Sequence, residues 1–339
     1  MIVQLKAKMA KGLKMSDEAF ITLLVVSAAV FIFLFASLLV PNFFQFQNVV
    51  NLITNNWAVI SLGVGVTFLL VSGNFDLSVG GIVALSGVLA VWFAQAPGGA
   101  NALASGFGMP TWMAMLFALF GALAIGGLNA LFVVRFKIPS IIVTLGTMLV
   151  ARGIAQVITH GSQRNTNLPD DFGLLGNIYL FGTSIKLPVV LMLVLVCVAV
   201  VIEKRTIFGR LTFWIGANPV AARLSGIKNA RHQTHLYLFS AANAGMVGIL
   251  LASEFKSGFS SRGMLMEFDA LVIALLGGVA IAGGFGSVVG MFFGALILAT
   301  VTSAATGLVL SPDWQYILKA IAVFLAIVAQ TWALTLKNR

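Results

Sequence analysis

The feature that most constrains this chain is a succession of apolar runs, each long enough, or nearly so, to cross a bilayer. Ten can be drawn, at residues 20–40, 52–72, 77–96, 112–134, 138–159, 187–202, 235–252, 268–284, 287–308 and 315–335. A bilayer core takes about 20 apolar residues of helix. A helix satisfies its own backbone in lipid, where water cannot. Composition agrees: 60% of residues are hydrophobic and 9% charged, against about 25% charged in soluble domains. Mean hydropathy is +1.04. The expectation is an all-α integral membrane protein with about ten transmembrane helices, forming one transmembrane domain over residues 1–339. Runs 187–202 and 268–284 are short or glycine-rich and are candidates for broken or bundle-buried helices. The first run follows Lys6, Lys8, Lys11 and Lys14, as a signal peptide's would. At about 20 residues it is long for an h-region and lacks an A-x-A-like end, so it reads as a retained span.

The net charge is +10, yet the basic residues form no single patch, which argues against nucleic acid as a partner. They follow membrane orientation instead. With the N-terminus in the cytoplasm, the inner segments hold Lys6, Lys8, Lys11, Lys14, Arg135, Lys137, Lys204, Arg205, Arg210, Arg223, Lys228, Arg231, Lys337 and Arg339. The outer ones hold only Arg164, Lys186, Lys256 and Arg262. Such a bias places both termini inside. Arg152 and Lys319 fall within runs, in reach of an interface to which they would snorkel. Trp57, Trp92, Trp112, Trp314 and Trp332 fall near run ends, where an aromatic belt would place them. The one cysteine, Cys197, allows no intrachain disulfide and no metal cluster.

Three connecting segments are long. Residues 41–56 are uncharged and rich in Asn and Gln, residues 160–186 carry Asp170 and Asp171, and residues 203–234 are strongly basic. The first two are expected outside and the third inside. The third has a helix-like centre, NPVAARLSGIK, in which Asn218 can cap, Pro219 suits the first helical position and Gly226 can terminate.

Soluble-enzyme chemistry finds no footing. No G-x-x-x-x-G-K-[ST] loop and no G-x-S-x-G elbow occurs. His232 and His235 are three apart without an acid or thiol nearby to complete a metal site. In the run Gly277–Gly294, the four-residue spacing of Gly286, Gly290 and Gly294 reads as a helix face cleared for close packing. Every acid falls at a run edge or in a loop, which weighs against a proton-driven carrier.

The stretch VSGNFDLSVGG (Val71–Gly81) interrupts this apolar sequence. Read locally it is a turn on the inner face between two spans. Gly73 permits the reversal, Asp76 caps the following helix, and Gly80 lets a neighbour approach. A second Phe-Asp step, Phe268-Asp269, again precedes a run, and FDLSV and FDALV agree at three of five positions. An inverted repeat would place the two steps on opposite sides of the membrane.

These residues carry a resemblance. VSGNFDLSVGGIVALSG is similar to the signature of the permease subunits of ribose-type ABC sugar importers, which reads close to G-G-I-D-L-S-V-G. FGRLTFWIGANPVAARLSGI (Phe208–Ile227) resembles that family's cytoplasmic coupling segment. MEFDALVIALLGGVAIAGGFGSVVGMFFGALIL (Met266–Leu298) resembles its acidic stretch and double-glycine run. The chain departs from the pattern at Asn74, Phe75 and Phe268, which leaves the sugar open. The coupling segment also resembles, loosely, the E-A-A-x-x-x-G pattern of ABC importers, with Val220 where the acid stands. The resemblance implies ATPase coupling through Gly216, Asn218, Ala221, Ala222, Arg223, Gly226 and Ile227; the residues alone suit a lipid-facing interfacial helix equally well.

The resemblance further implies a bacterial inner-membrane permease without catalytic residues, two such subunits as a homodimer or heterodimer, and separate ATPase subunits holding ATP and Mg. A soluble solute-binding protein would deliver a pentose or hexose. Asp170, Asp171, Glu254, Lys256 and Arg262 are candidates for docking it, and Asn74, Asn129, Thr144, Asn243 and Ser303 for lining the solute path. An importer of nucleosides or branched-chain amino acids, or an ATP-independent carrier or channel, are the rival readings.

Overall fold

The computed structural model describes residues 17–98, 103, 105–180, 185–311, 313–321, 324 and 328. Lys6, Lys8, Lys11, Lys14, Trp332, Lys337, Arg339 and most of the run 315–335 lie outside the described residues. Elements in order are α1 (Asp17–Leu39), α2 (Phe46–Thr54), α3 (Trp57–Val71), α4 (Val79–Ala94), α5 (Thr111–Ala130), α6 (Ser140–Thr159), α7 (Leu174–Asn177), α8 (Leu187–Arg205), α9 (Ile207–Ala217), α10 (Pro219–Leu224), α11 (Asn229–Phe255), α12 (Met266–Leu276) and α13 (Val288–Gly307). Residues 313–321 are again helical. A π-helical turn, Leu131–Arg135, extends α5. Extended pairing among the described residues is confined to two isolated bridges, Arg164 with Gly258 and Tyr179 with Lys186.

Among the described residues, six helices are long and apolar enough to cross a membrane, or seven if α2 and α3, bent by 51° at their junction, count as one span. The runs 52–72, 77–96 and 268–284 are built differently from uninterrupted spans, whereas 187–202, expected as a broken or bundle-buried helix, is continuous within α8. The run 268–284 is helical only to Leu276; residues 277–287 leave the helix in a glycine-rich loop. The helices α3 and α4 have 15 and 16 residues, about 22 and 24 Å at 1.5 Å per residue.

The centre of the bundle is α11, 27 residues long and mostly buried, with α3, α4 and α5 around it. Its contacts fix the path of the signature stretch. Along α3, Asn243 bonds the Ser61 carbonyl and Ser240 abuts Gly65, so α3 runs against α11. Along α4, Gly248 meets Ser86 and Ala252 meets Gly87, so α4 runs with it. The two short helices occupy different lengths of α11, and the segment joining them lies against Ser240, eleven residues into α11. The expected surface turn is therefore a buried junction about 16 Å along the central helix.

From Phe255 the chain folds back over α4, placing Gly258 on Val88 and Val91, and Gly263 on Gly80. It then begins α12 with Glu267 against Gly80. Thus α4 and α12 both start at mid-depth, side by side, and run towards opposite ends of the bundle. The two Phe-Asp steps are not equivalent within them: Phe75-Asp76 precedes α4, whereas Phe268-Asp269 lies in the first turn of α12.

Two other expectations change with burial. Trp57 is 5% exposed and packs in the core, whereas Trp112 and Trp314 are exposed. Acids do enter the interior: Asp76 and Glu267 are each 2% exposed and Glu203 6%. Arg152 and Lys319 pair rather than snorkel: Arg152 lies 3.7 Å from Glu267, and Lys319 Nζ donates to both oxygens of Asp269 at 2.9 Å. Gly290 and Gly294 seat α13 on Gly277 and the Ile273 carbonyl, as their spacing suggests, while Gly286 lies outside the helix.

Candidate functional site

Several places in the bundle combine polar or exposed groups with specific geometry. The first is at the end that carries Lys204, Arg205, Arg210, Arg223, Lys228 and Arg231, all exposed. Here α10 is a short, well-capped helix. The Asn218 side chain accepts from the Val220 and Ala221 amides at 3.1 and 3.0 Å, and Pro219 takes the first position without losing a donor. At the other end Gly226 turns left-handed (φ +82°), and the amides of Gly226 and Ile227 donate to the Arg223 and Ala222 carbonyls. Ala222 is buried beneath, whereas Val220 and Leu224 are 65% and 84% exposed. An exposed apolar edge beside Arg223 suits a partner surface.

Behind α10, the preceding helix α9 reaches the core through Gly216. A side chain at Gly216 would overlap the Val71 carbonyl, at the end of α3, and the Gly284 amide. The Gly284 amide in turn donates to that same Val71 carbonyl at 2.7 Å. Gly283 (φ +82°) sits so close to Gly73 (φ +81°) that a Cβ would lie 2.8 Å from the Gly73 Cα. The three sequence blocks singled out above therefore meet backbone to backbone at one glycine junction. Glu203, at the end of α8, accepts from the Val288 amide at 2.7 Å and closes the same junction from the other side.

From Gly73 the chain enters the buried polar chain around Asp76. Asp76 accepts from the amide of Ser78 at 2.9 Å, from its hydroxyl at 2.5 Å, and from the Ser240 hydroxyl at 2.7 Å. The Ser78 hydroxyl accepts from Asn129 at 2.8 Å, and Asn129 accepts from Thr147 at 2.5 Å. This chain ties α4 to α11, α5 and α6. Of the residues expected along a solute path, Asn129 belongs to this network and Asn243 bonds the Ser61 carbonyl. Asn74 reaches only Ser72, and Thr144 bonds back to its own helix. All four are buried.

Ser303 is different. It lines a cleft of 510 Å³ at the end opposite the glycine junction, between α2 and α13. Asn48 and Asn51 of α2 and Asn55 just after it present amides, and Thr302, Ser303 and Thr306 present hydroxyls from α13; Gln315 and Phe43 also line it. Among the described residues, none that lines the cleft is charged. The helical spacing of Asn48, Asn51 and Asn55 and the i, i+1, i+4 spacing on α13 were the available sequence signals. The composition of 41–56 alone read as a polar loop.

At that same end the residues expected to dock a partner come together. Asp170, Glu254 and Lys256 line a notch of 490 Å³ with Asn177 and Phe255. Asp171 accepts from Thr111 at 2.7 Å, Glu254 pairs with Lys186 at 2.8 Å, and Arg262 stacks 4.3 Å from the Phe255 ring. Arg164, buried at 2% exposure, braces the surrounding loops by donating to Gln95, the Ile158 carbonyl and the Ser105 carbonyl.

Residues 48–328 match the model of the branched-chain amino acid transport system / permease component family. The chain belongs to this permease family. It is 32% identical over 293 residues to the ribose import permease protein RbsC of Bacillus subtilis (strain 168), covering 86% of this chain and 87% of that protein. It is 31% identical over 312 residues to the L-arabinose transport system permease protein AraH of Escherichia coli (strain K12), covering 90% and 88%. It is 29% identical over 292 residues to the galactose/methyl galactoside import permease protein MglC of the same strain, covering 85% and 87%. No solved structure matches. The permease is thus a multi-pass membrane protein whose relatives import sugars, as the signature blocks implied.

Proposed function

We propose that this chain is the membrane subunit of an ATP-binding-cassette importer. It passes a monosaccharide of the pentose or hexose class from a soluble binding protein into the bacterial cytoplasm by alternating access. The observation that carries the reading is the meeting of three signature blocks at one glycine junction directly behind the exposed helix α10. A force applied to α10 passes through α9 and Gly216 to the end of α3, to Gly73 and thence to the Asp76 network, and to the 277–287 loop between α12 and α13.

In this reading the basic end is cytoplasmic, as are both termini, and residues 203–234 form the coupling segment. Separate ATPase chains bind ATP and Mg and seat on α10, with Val220 and Leu224 entering an apolar groove and Arg223 meeting acids. The chain itself performs no chemistry. A second permease subunit, a copy or a paralogue, completes the passage across the inner membrane. The solute-binding protein docks at the opposite end, over the notch formed by Asp170, Glu254 and Lys256, with Asp171 and Arg262 beside it. The uncharged cleft beside that end supports a neutral solute over a zwitterionic amino acid, which needs fixed charges.

The test is reconstitution in proteoliposomes with a candidate ATPase and solute-binding protein. Uptake of D-ribose, L-arabinose or D-galactose is expected only with all components and ATP present. Downhill movement of sugar through the purified permease alone would remove the ABC reading.

A further inference from the structure

We propose that the cleft between α2 and α13 is a sugar subsite within the transport route, an assignment that rests on the permease reading above. Its chemistry matches the ligand. Each amide offers both donors and acceptors, and each hydroxyl does likewise, so the two walls complement the hydroxyls of a neutral sugar. A fixed charge would attract ions and hold a solute too tightly for passage. The volume, 510 Å³, falls in the range of about 300–1,000 Å³ typical of small-ligand sites.

The surroundings show that these groups face water. The cleft begins at Val40 and Gly307 and descends to Ala299, about 12 Å along α13. The neighbouring face of α1 exposes Phe31, Phe35 and Leu38, as a lipid contact does. An amide left without a hydrogen-bond partner in hydrocarbon costs about 4–8 kcal/mol. A face bearing Asn51 and Asn55 beside Thr302 and Thr306 is therefore not a lipid face, and it borders an aqueous passage.

Some of the groups can exchange partners. Ser303 meets Asn48 at 3.4 Å, Gln315 donates to Thr306 at 3.2 Å, and Asn51 accepts from Gln47 at 3.1 Å. These are long or exposed bonds, while Asn48 also donates to the Phe43 carbonyl at 2.8 Å and Thr302 and Thr306 donate back along α13 at 3.0 Å, keeping their oxygens free to accept. A passing hydroxyl can replace the long or exposed bonds at little cost, which suits brief occupancy. Finally, the wall is connected to the drive. The same helix that carries Thr302 and Ser303 packs through Gly290 and Gly294 on Gly277, where the glycine loop begins. A shift of that loop moves the cleft wall.

The experiment uses the complete importer in proteoliposomes, with Cys197→Ala as background. Asn51→Cys and Ser303→Cys are compared with Leu149→Cys, which lies on an exposed apolar face of α6. Each protein is assayed before and after treatment with a charged methanethiosulfonate reagent, so that folding is complete when the cleft is blocked. Cysteines at 51 and 303 are expected to react, and the one at 149 not to. Uptake of D-ribose, L-arabinose or D-galactose should then fall at least about tenfold, equivalent to about 1.4 kcal/mol, while ATP hydrolysis persists. Failure of both cleft cysteines to react, or reaction with uptake unchanged, overturns the cleft assignment alone. An unmodified importer that hydrolyses ATP but carries none of the three sugars overturns the parent reading and the subsite with it.

Discussion

Replacing Gly216 with alanine tests the mechanical role of the glycine junction most directly. The added methyl would overlap the Val71 carbonyl and come within 2.6 Å of the Gly284 amide nitrogen. Both are backbone atoms, so no flexible side-chain tip can move aside. Overpacking of a filled interior costs about 1–3 kcal/mol. The intruding group also forces apart the 2.7 Å bond between the Gly284 amide and the Val71 carbonyl, worth about 1 kcal/mol. The combined strain of about 2–4 kcal/mol falls on the contact that joins α9 to α3. An energy of 2.8 kcal/mol corresponds to about a hundredfold in an equilibrium, enough to trap one conformation of a cycle.

Uptake by the complete importer should therefore fall by at least about tenfold, while the protein still inserts and still binds its ATPase. The matched control is Gly127→Ala, where nothing lies within 4 Å of the new methyl. Alanine there gains helix propensity of up to about 1 kcal/mol and should leave transport unchanged. Uptake by the Gly216 variant equal to that of the Gly127 control would refute the argument that the junction transmits the stroke.

Three further outcomes follow from the geometry. Gly226→Val places a β-branched residue at φ +82°, costing about 1–2 kcal/mol; it should fray α10 and reduce uptake more than basal ATP hydrolysis, as read in parallel assays. Arg164→Met leaves the acceptors on Gln95, Ile158 and Ser105 without their donor, at about 1–3 kcal/mol each where they stay buried; faster amide exchange at residues 158–164 and 256–260 is the readout. Neutralising either member of the Lys319–Asp269 pair alone should lower detergent stability more than neutralising both. A thermal-melt double-mutant cycle should give about 0.5–3 kcal/mol of coupling, and none would dismiss the pair.

The membrane class, the helical spans other than the broken ones and the caps of α10 were legible because each rests on a local signal. Length and polarity identify a span, and Asn218, Pro219 and Gly226 specify a short helix without outside help. What stayed hidden depends on depth. Hydropathy cannot distinguish a turn at the surface from one at mid-bundle, because Phe75 and Leu77 flank Asp76 in either case. The break after Leu276 was obscured because Gly277, Gly278, Val279 and Ala280 are no more polar than the helix they end. Arg152 and Lys319 lie within sight of an interface in sequence; only the return of residues 256–265 over α4 brings Glu267 and Asp269 to them. The cleft combined residues from α2 and α13, some 250 positions apart, and no pattern within either segment names the other.

The signature interrupts its apolar surroundings because two requirements meet there that apolar residues cannot satisfy together. In lipid, apolar helices gain nothing by leaving the solvent for one another, so association relies on packing and polar bonds. Asp76 supplies the bonds: through Ser78, Ser240, Asn129 and Thr147 it fixes α4 to three long helices. Gly73 supplies the opposite property, a contact with Gly283 made without side chains. A bonded cluster moves as one piece, and a bare backbone contact beside it lets a neighbouring piece slide. The order of residues in GNFD thus sets a bare backbone contact three positions from a hydrogen-bonded cluster, at the place where α9 touches the core.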